Sequence, residues 1–267
     1  MTLLTHEVKA SYAFIERNFF LTRRYWGWEV AFLVYSVAGA LSISLIGAEA
    51  GDPRLLLSLI IGAVFWNYLS VVFSWIAETI AVERWEGTLE YTMMAPIRRG
   101  TQLVGSVVYA MGYGLVHTAV ILVLLFLFYR DVQFDIQNLG TVAAFVALGS
   151  FSFVGIGMLA AILPLLYVER GAQMAFVMQS VLLLVSGVYY SIEILPEWMQ
   201  ALSALSPATY VLDGVRSALL DGVPLSDLLY DVWPLIVFGI ILIPAGIWGF
   251  GRAERYAKRT GRLKRVG

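Results

Sequence analysis

The sequence predicts an all-α integral membrane protein with six transmembrane helices, and two observations support this fold class. Charged residues make up only 14% of the 267 residues and hydrophobic residues 60%, whereas roughly a quarter of the residues of a typical soluble domain are charged. In addition, six segments contain no Asp, Glu, Lys or Arg, and each can cross a hydrocarbon core of about 30 Å as a helix of roughly 20 residues. The predicted spans are about 30–48, 55–77, 101–129, 138–166, 171–192 and 232–251. Residues 1–267 are therefore expected to form a single transmembrane domain.

The segment before the first span, residues 1–27, interleaves aromatic and aliphatic residues with basic ones. This composition is typical of an amphipathic helix at a membrane surface. Trp26 and Trp28 suit the headgroup level, where an indole ring is buried while its N–H stays hydrated. We therefore expect an N-terminal amphipathic interfacial helix that leads into the first span.

Residues 83–99, between the second and third spans, form the one long charged interruption in the first half of the chain. Trp85, Leu89 and Met93 recur at i, i+4 and i+8, so on a continuous helix they would share one face. Pro96 would end that helix. The segment is too short and too charged to cross a bilayer, so it is expected to lie against the membrane surface or against another protein.

The loop between the fifth and sixth spans, residues 193–231, predicts a helical hairpin. A short helix can begin at Pro196 and stop at Pro207, and a second can end at Gly222. Neither is long enough to span, which favours a re-entrant or interfacial hairpin.

The distribution of basic residues predicts the orientation. All but Arg54, Arg130 and Arg216 of the 18 lysines and arginines fall in residues 1–27, the second and fourth loops, and the tail 252–267. By the positive-inside rule these parts are cytosolic, so both termini are expected on the cytosolic side. The basic tail is explained by topology and by contact with anionic lipids, and we expect no binding of nucleic acid.

The chain contains none of the usual motifs for chemistry of its own. It has no Gly-x-x-x-x-Gly-Lys-Ser/Thr phosphate loop, no cysteine and no helical zinc motif. We expect no enzyme activity and no cofactor bound by this chain, so nucleotide hydrolysis would belong to a partner.

Polar and aromatic side chains inside the predicted spans leave two interpretations open. They either line a substrate path or lock the spans to their neighbours, and for the two tyrosines at 189 and 190 the second alternative is an aromatic belt. The residues concerned are Trp66, Asn67, Tyr68, Gln179, Tyr189 and Tyr190.

Two motifs resemble a known family. The first is Glu-Arg-x-x-Gly-Thr-Leu-Glu-x-x-x-x-x-Pro-Ile-Arg-Arg at 83–99, and the second comprises residues 186–198, 205–210 and 213–216. Both are similar to permease subunits of type-2 ABC transporters, the class that exports drugs, lipids and polysaccharides. The first motif resembles the coupling region of that family, which docks into a separate ATP-hydrolysing subunit.

The resemblance implies a coupling helix between the second and third spans, with apolar contacts from Trp85, Leu89 and Met93 and with register set by charged residues. The implied coupling residues are Glu83, Arg84, Trp85, Glu86, Gly87, Leu89, Glu90, Met93 and Pro96.

The implied partners are two copies of an ABC ATPase, which would carry ATP and Mg, and a second permease that forms a homodimer or a related heterodimer. The expected location is the cytoplasmic membrane of a prokaryote, and the expected function is export of a drug-like or lipid-like substrate. The alternatives are an exporter of polysaccharide or lipid-linked glycan and, in another class, a membrane carrier or membrane enzyme that needs no ATPase.

Overall fold

The computed structural model describes residues 3–95, 97, 99–129 and 138–261. Every regular element in these ranges is a helix, which confirms the all-α prediction. The helices are α1 (Leu3–Arg24), α2 (Trp26–Glu49), α3 (Pro53–Glu86), α4 (Leu89–Met94), α5 (Arg99–Phe128), α6 (Leu139–Ala160), α7 (Ile162–Leu166), α8 (Gly171–Val185), α9 (Glu197–Ser203), α10 (Pro207–Leu220) and α11 (Leu229–Arg259). Two single 3₁₀ turns lie at Ile192–Ile194 and Leu225–Asp227.

Five helical segments of the described chain are long and apolar enough to cross a membrane. They are α2, α3, α5 from Gly100, α6 together with α7, and α11. The fifth predicted span, 171–192, contains only the 15-residue α8, which is about 22 Å long, shorter than the hydrocarbon core of about 30 Å. The helix stops because Ser186 leaves the helical conformation and Gly187 turns the chain with φ 63°. The six-span count is therefore not confirmed.

Helix α3 is the centre of the bundle and packs against α2, α5, α6, α8 and α10. It begins at a capped end, where Asp52 accepts a hydrogen bond from the Arg54 N–H and Pro53 occupies the first turn. Several of its side chains, including Tyr68, Leu69 and Phe73, are fully buried. With 34 residues it is about 51 Å long, so it extends beyond a hydrocarbon core of about 30 Å.

Helices α6 and α11 approach so closely that their glycines are required. A Cβ on Gly155 would lie 2.5 Å from the Leu242 Cβ, and a Cβ on Gly246 would lie 2.7 Å from the Met158 Cβ. Small residues at such positions let helix backbones touch. The two helices therefore form a tightly packed pair.

Helices α1 and α2 follow α5 in the same direction. Ser11 donates to the Thr101 carbonyl at 2.9 Å, Thr22 and Tyr109 share a hydrogen bond at 2.6 Å, and further along Glu29 accepts one from Tyr113. The predicted N-terminal helix is present, and it packs lengthwise on the first turns of α5. Its position at a membrane interface stays a prediction.

The two short helices expected between the last two predicted spans are present as α9 and α10. Arg216 of α10 donates to the carbonyls of Gly187 and Val188 at 2.9 and 2.6 Å, and Asp221 pairs with Arg54 at 2.6 Å. We call the end of the bundle that carries α9 and α10 the hairpin end. The opposite end, where α3 passes into α4, is called the junction end.

Candidate functional site

The junction end differs from the single coupling helix that the sequence pattern predicts, because Gly87 divides the segment. Gly87 has φ 74°, a left-handed conformation that a glycine adopts without strain. The Gly87 and Thr88 N–H groups return to the carbonyls of Arg84 and Glu83 at 3.1 and 2.8 Å, which closes α3. Helix α4 then starts anew at Leu89. The prediction of one continuous helix is therefore wrong, and Pro96, predicted to end it, lies outside the described residues.

The break places the three predicted contact residues on different sides. Leu89 and Met93 are each only 2% exposed, whereas Trp85 is 63% exposed. The two buried side chains belong to a cluster formed with Ile80, Ala161, Leu165, Phe250, Ala253 and Ala257. Leu89 and Met93 therefore hold α4 against the chain's own bundle, and the prediction that they offer an outward apolar face is corrected.

Glu83 joins three elements at the junction. Its carboxylate is 1% exposed and accepts hydrogen bonds from Arg17 of α1 at 2.6 Å and from Gln102 of α5 at 3.0 Å. Arg17 also donates to the hydroxyl of Thr88, the residue before α4, at 3.1 Å. A single ion pair thus fastens the N-terminal helix to the point where α3 turns into α4.

Arg84 and Glu86, two of the charged residues expected to set the register against an ATPase, are engaged within the chain. The buried Arg84 donates to the carbonyls of Leu165 and Pro164 at 3.2 and 3.4 Å. These carbonyls lie in the last turn of α7, where a cation is favourable. Glu86 accepts a hydrogen bond from the Tyr25 hydroxyl, which raises the pKa of Tyr25.

Among the described side chains of this segment, four remain exposed, and we call them the exposed patch: Trp85, Glu90, Tyr91 and Met94. Tyr91 and Met94 are 79% and 75% exposed, and the sequence analysis did not single them out. Gly87 was the available signal, because a break there frees α4 to turn Leu89 and Met93 inward, which leaves Tyr91 and Met94 on its outer side.

The comparison with known families decides what kind of protein carries this junction. The family model described as ABC-2 type transporter matches residues 11–220, which is more than half of the chain. The chain belongs to the ABC-2 type transporter family. This confirms the resemblance and identifies a membrane permease of a transport family, which is not an enzyme family and normally works with an ABC ATPase partner. A search among curated proteins found no match.

In this ABC-2 permease, two of the predicted substrate-path residues are held in the core. Trp66 packs edge to face against Phe153, with ring centroids 6.3 Å apart, and the Tyr68 hydroxyl shares a hydrogen bond of 2.7 Å with Ser150. Both contacts join α3 to α6, which favours the locking interpretation for this pair. A substrate role for either residue stays a prediction.

The other predicted path residues lie nearer the surface of the permease. Gln179 accepts a hydrogen bond from Ser74 at 3.3 Å, and the Tyr190 hydroxyl donates to the Leu184 carbonyl at the end of α8. Tyr189 is half-buried between two apolar clusters. Asn67 is half-buried, and its Oδ1 atom has no hydrogen-bond partner among the described residues. Whether these four line a path stays a prediction.

The sequence analysis missed that polar residues recur along one face of α3. Asn67, Ser74 and Glu78 are spaced by seven and four residues, so they share a helix face, and all three are partly exposed. Among the described residues, no group of three or more His, Asp or Glu side chains is placed to hold a metal ion.

Proposed function

We propose that this ABC-2 permease is the membrane subunit of an ATP-driven exporter and that the exposed patch at the junction end docks on a separate ATPase subunit. One observation carries the proposal: α4 presents Tyr91 and Met94 outward while Leu89 and Met93 are anchored in the bundle. Large apolar and aromatic side chains that stay exposed beside charged ones are typical of protein-protein contacts. Glu90 supplies a charge at the edge, which contributes to specificity more than to affinity.

The anchoring suggests how force reaches the spans. When the ATPases close on ATP, movement of α4 is passed to α3 through the chain itself, to α1 through the Arg17–Glu83 ion pair and to α7 through Arg84. The bundle then changes between inward-facing and outward-facing states, whose relative populations the nucleotide controls. In this proposal two ATPase copies carry ATP and Mg, and a second permease completes the transporter as a homodimer or related heterodimer.

The proposal assigns the junction end to the cytosol of a prokaryote and the protein to its cytoplasmic membrane. Its support is the charge distribution, because most basic residues lie in the N-terminal helix, the junction segment and the last helix and tail. Both termini are then cytosolic. Helix α8 with the following turn would count as the fifth of six crossings, in a locally thinned or shielded region of the bilayer.

The cargo we propose is a hydrophobic or amphipathic molecule, drug-like or lipid-like. The polar face of α3 around Asn67, together with Gln179, Tyr189 and Tyr190, lies among apolar helices, and such a mixed surface suits an amphipathic molecule. Polysaccharide or lipid-linked glycan is the alternative cargo. A carrier or membrane enzyme working without an ATPase is the rival function.

The proposal is tested by capture of an ABC ATPase and by transport. The permease is co-expressed with a candidate ABC ATPase subunit, purified and reconstituted. We expect Tyr91→Ala combined with Met94→Ala to weaken ATPase binding by at least tenfold, as loss of two anchor residues typically does. Tyr230→Ala, which removes a tyrosine that is 82% exposed at the hairpin end, is the matched control and should bind normally.

Transport by the permease in liposomes without any ATPase would refute this proposal in favour of the rival function. Unchanged ATPase binding by the double variant would refute the docking surface. Stimulation of ATP hydrolysis by amphipathic compounds, compared with glycan substrates, separates the two kinds of cargo.

A further inference from the structure

Helix α4 is too short to hold its own position. It has six residues, no side-chain cap at its first turn, and extended backbone at Ala95 directly after it. A helix of this length is unstable by itself because nucleation costs more than so few hydrogen bonds return. Its position therefore depends on what it packs against.

The last helix, α11, supplies a large part of that support. Phe250, Ala253 and Ala257 lie at i, i+3 and i+7, so they share one face, and they bury Leu89 and Met93. Since the family match ends at residue 220, this apolar face of α11 lies in a part of the chain that the match does not include.

A polar contact also holds α4 against this face of α11. The Lys258 ammonium donates to the Met93 carbonyl at 3.2 Å, in the last turn of α4. A helix leaves its last carbonyls without intrahelical partners and carries partial negative charge there, so a lysine is well placed to satisfy one. Glu254, one turn earlier on α11, is buried and pairs with the same ammonium at 2.7 Å, which orients it.

We propose that Lys258, oriented by Glu254, is a positioning residue that fixes the coupling helix α4 to the last spanning helix. Because α11 is packed backbone to backbone on α6 at Gly155 and Gly246, a displacement of α4 is transmitted through Lys258 to the α6–α11 pair. This inference rests on the proposed function, in which an ATPase pushes on α4.

The position of α4 can be measured directly, because the chain has no cysteine. Spin labels on Glu90→Cys and Arg259→Cys, both at exposed positions, report the distance between α4 and α11 in the full-length permease in nanodiscs. We expect Lys258→Met to broaden this distance distribution. Lys258→Arg keeps a cationic donor and should restore a narrow one.

Coupling is measured on the unlabelled permease with its ATPase, as substrate moved per ATP hydrolysed. Loss of a charge-assisted hydrogen bond changes a conformational equilibrium constant by roughly tenfold. We therefore expect Lys258→Met to lower the amount of substrate moved per ATP about tenfold while the ATPase remains bound. Glu254→Gln should lower it less, and Lys258→Arg should recover it. Arg255→Met, which removes an exposed charge from the same helix, is the control and should leave both readouts unchanged.

An unchanged distance distribution in Lys258→Met would overturn the inference, and so would a broadened distribution with an unchanged coupling ratio. Lys258→Gln serves as a second variant if the methionine variant does not fold. Failure of the wild-type permease to bind an ATPase would refute the proposed function instead, and the distance measurement distinguishes the two because it needs no ATPase.

Discussion

The Arg17–Glu83 ion pair provides a sharp test of the junction, because its two partners differ in burial. The Glu83 side chain is 1% exposed and the Arg17 side chain 27%. Breaking a fully buried pair by removing one partner costs about 3–5 kcal/mol. Because Gln102 still donates to Glu83 and Arg17 is partly hydrated, we expect Arg17→Met to lower the free energy of unfolding by about 2–3 kcal/mol.

The reverse substitution should be milder. In Glu83→Gln, Arg17 can turn to water and to Thr88, so we expect a loss of about 1–2 kcal/mol. The double variant should lose less than the two single variants together, with a coupling energy of about 1.5 kcal/mol or more. Arg23→Met, an exposed arginine on the same helix, is the control and should change stability by less than about 0.5 kcal/mol.

The assay is reversible unfolding of the purified permease in mixed micelles, with the wild type and all four variants measured under the same conditions. A coupling energy below about 0.5 kcal/mol would mean that the pair does not fasten α1 to the junction. A larger loss for Glu83→Gln than for Arg17→Met would contradict the argument from burial. Normal membrane insertion of every variant is the accompanying check.

Three further predictions concern other parts of the bundle. Gly87→Ala should cost about 1–2 kcal/mol in thermal unfolding because of its positive φ, with Gly87→Asn costing less, and an equal cost would contradict the role of the left-handed conformation. Tyr68→Phe and Ser150→Ala should each cost about 1 kcal/mol and the double variant little more, since both break one hydrogen bond of 2.7 Å; additive costs would refute that bond. At the hairpin end, desolvation by the surrounding helices raises the pKa of Asp213 to about 6 even though part of the residue is exposed to solvent, and Arg216 opposes the shift. Because this pKa lies above the unfolded value, the contribution to stability is lost as pH rises through 6, so the unfolding temperature of wild type should fall over pH 4–7 relative to Asp213→Asn, and parallel curves would refute it.

The apolar segments of the sequence predict most of the fold, because a charge-free segment that crosses a bilayer must satisfy its backbone hydrogen bonds internally and therefore forms a helix. The helices that end at Glu49 and Phe128 match the predicted spans closely. The exception is 171–192. Its composition contains no charge to mark an end, and the helix stops where Ser186 and Gly187 turn the chain, which hydropathy does not detect.

At the junction, the helical periodicity of residues 83–99 predicted the wrong contact face, because it assumes an unbroken helix. Trp85, Leu89 and Met93 keep a spacing of four, but the left-handed Gly87 shifts the phase between the first and the other two. The buried roles of Glu83 and Arg84 could not be predicted either. Their partners, Arg17 and the carbonyls of α7, lie more than sixty residues away in the chain, and no local pattern encodes such contacts.

The location of the polar contacts explains why junction variants should affect coupling but not insertion. Helices α3, α5 and α11 are about 45–51 Å long, so roughly 15–20 Å of each lies beyond a hydrocarbon core of about 30 Å. The ion pairs of Arg17 with Glu83 and of Lys258 with Glu254 both lie at the junction end. Insertion depends on the apolar segments, which contain neither pair. The middle of the bundle is held by apolar packing and by neutral hydrogen bonds such as that of Tyr68 with Ser150, whereas the junction uses directional, charge-assisted bonds, and these fix the angle at which α4 meets the spans.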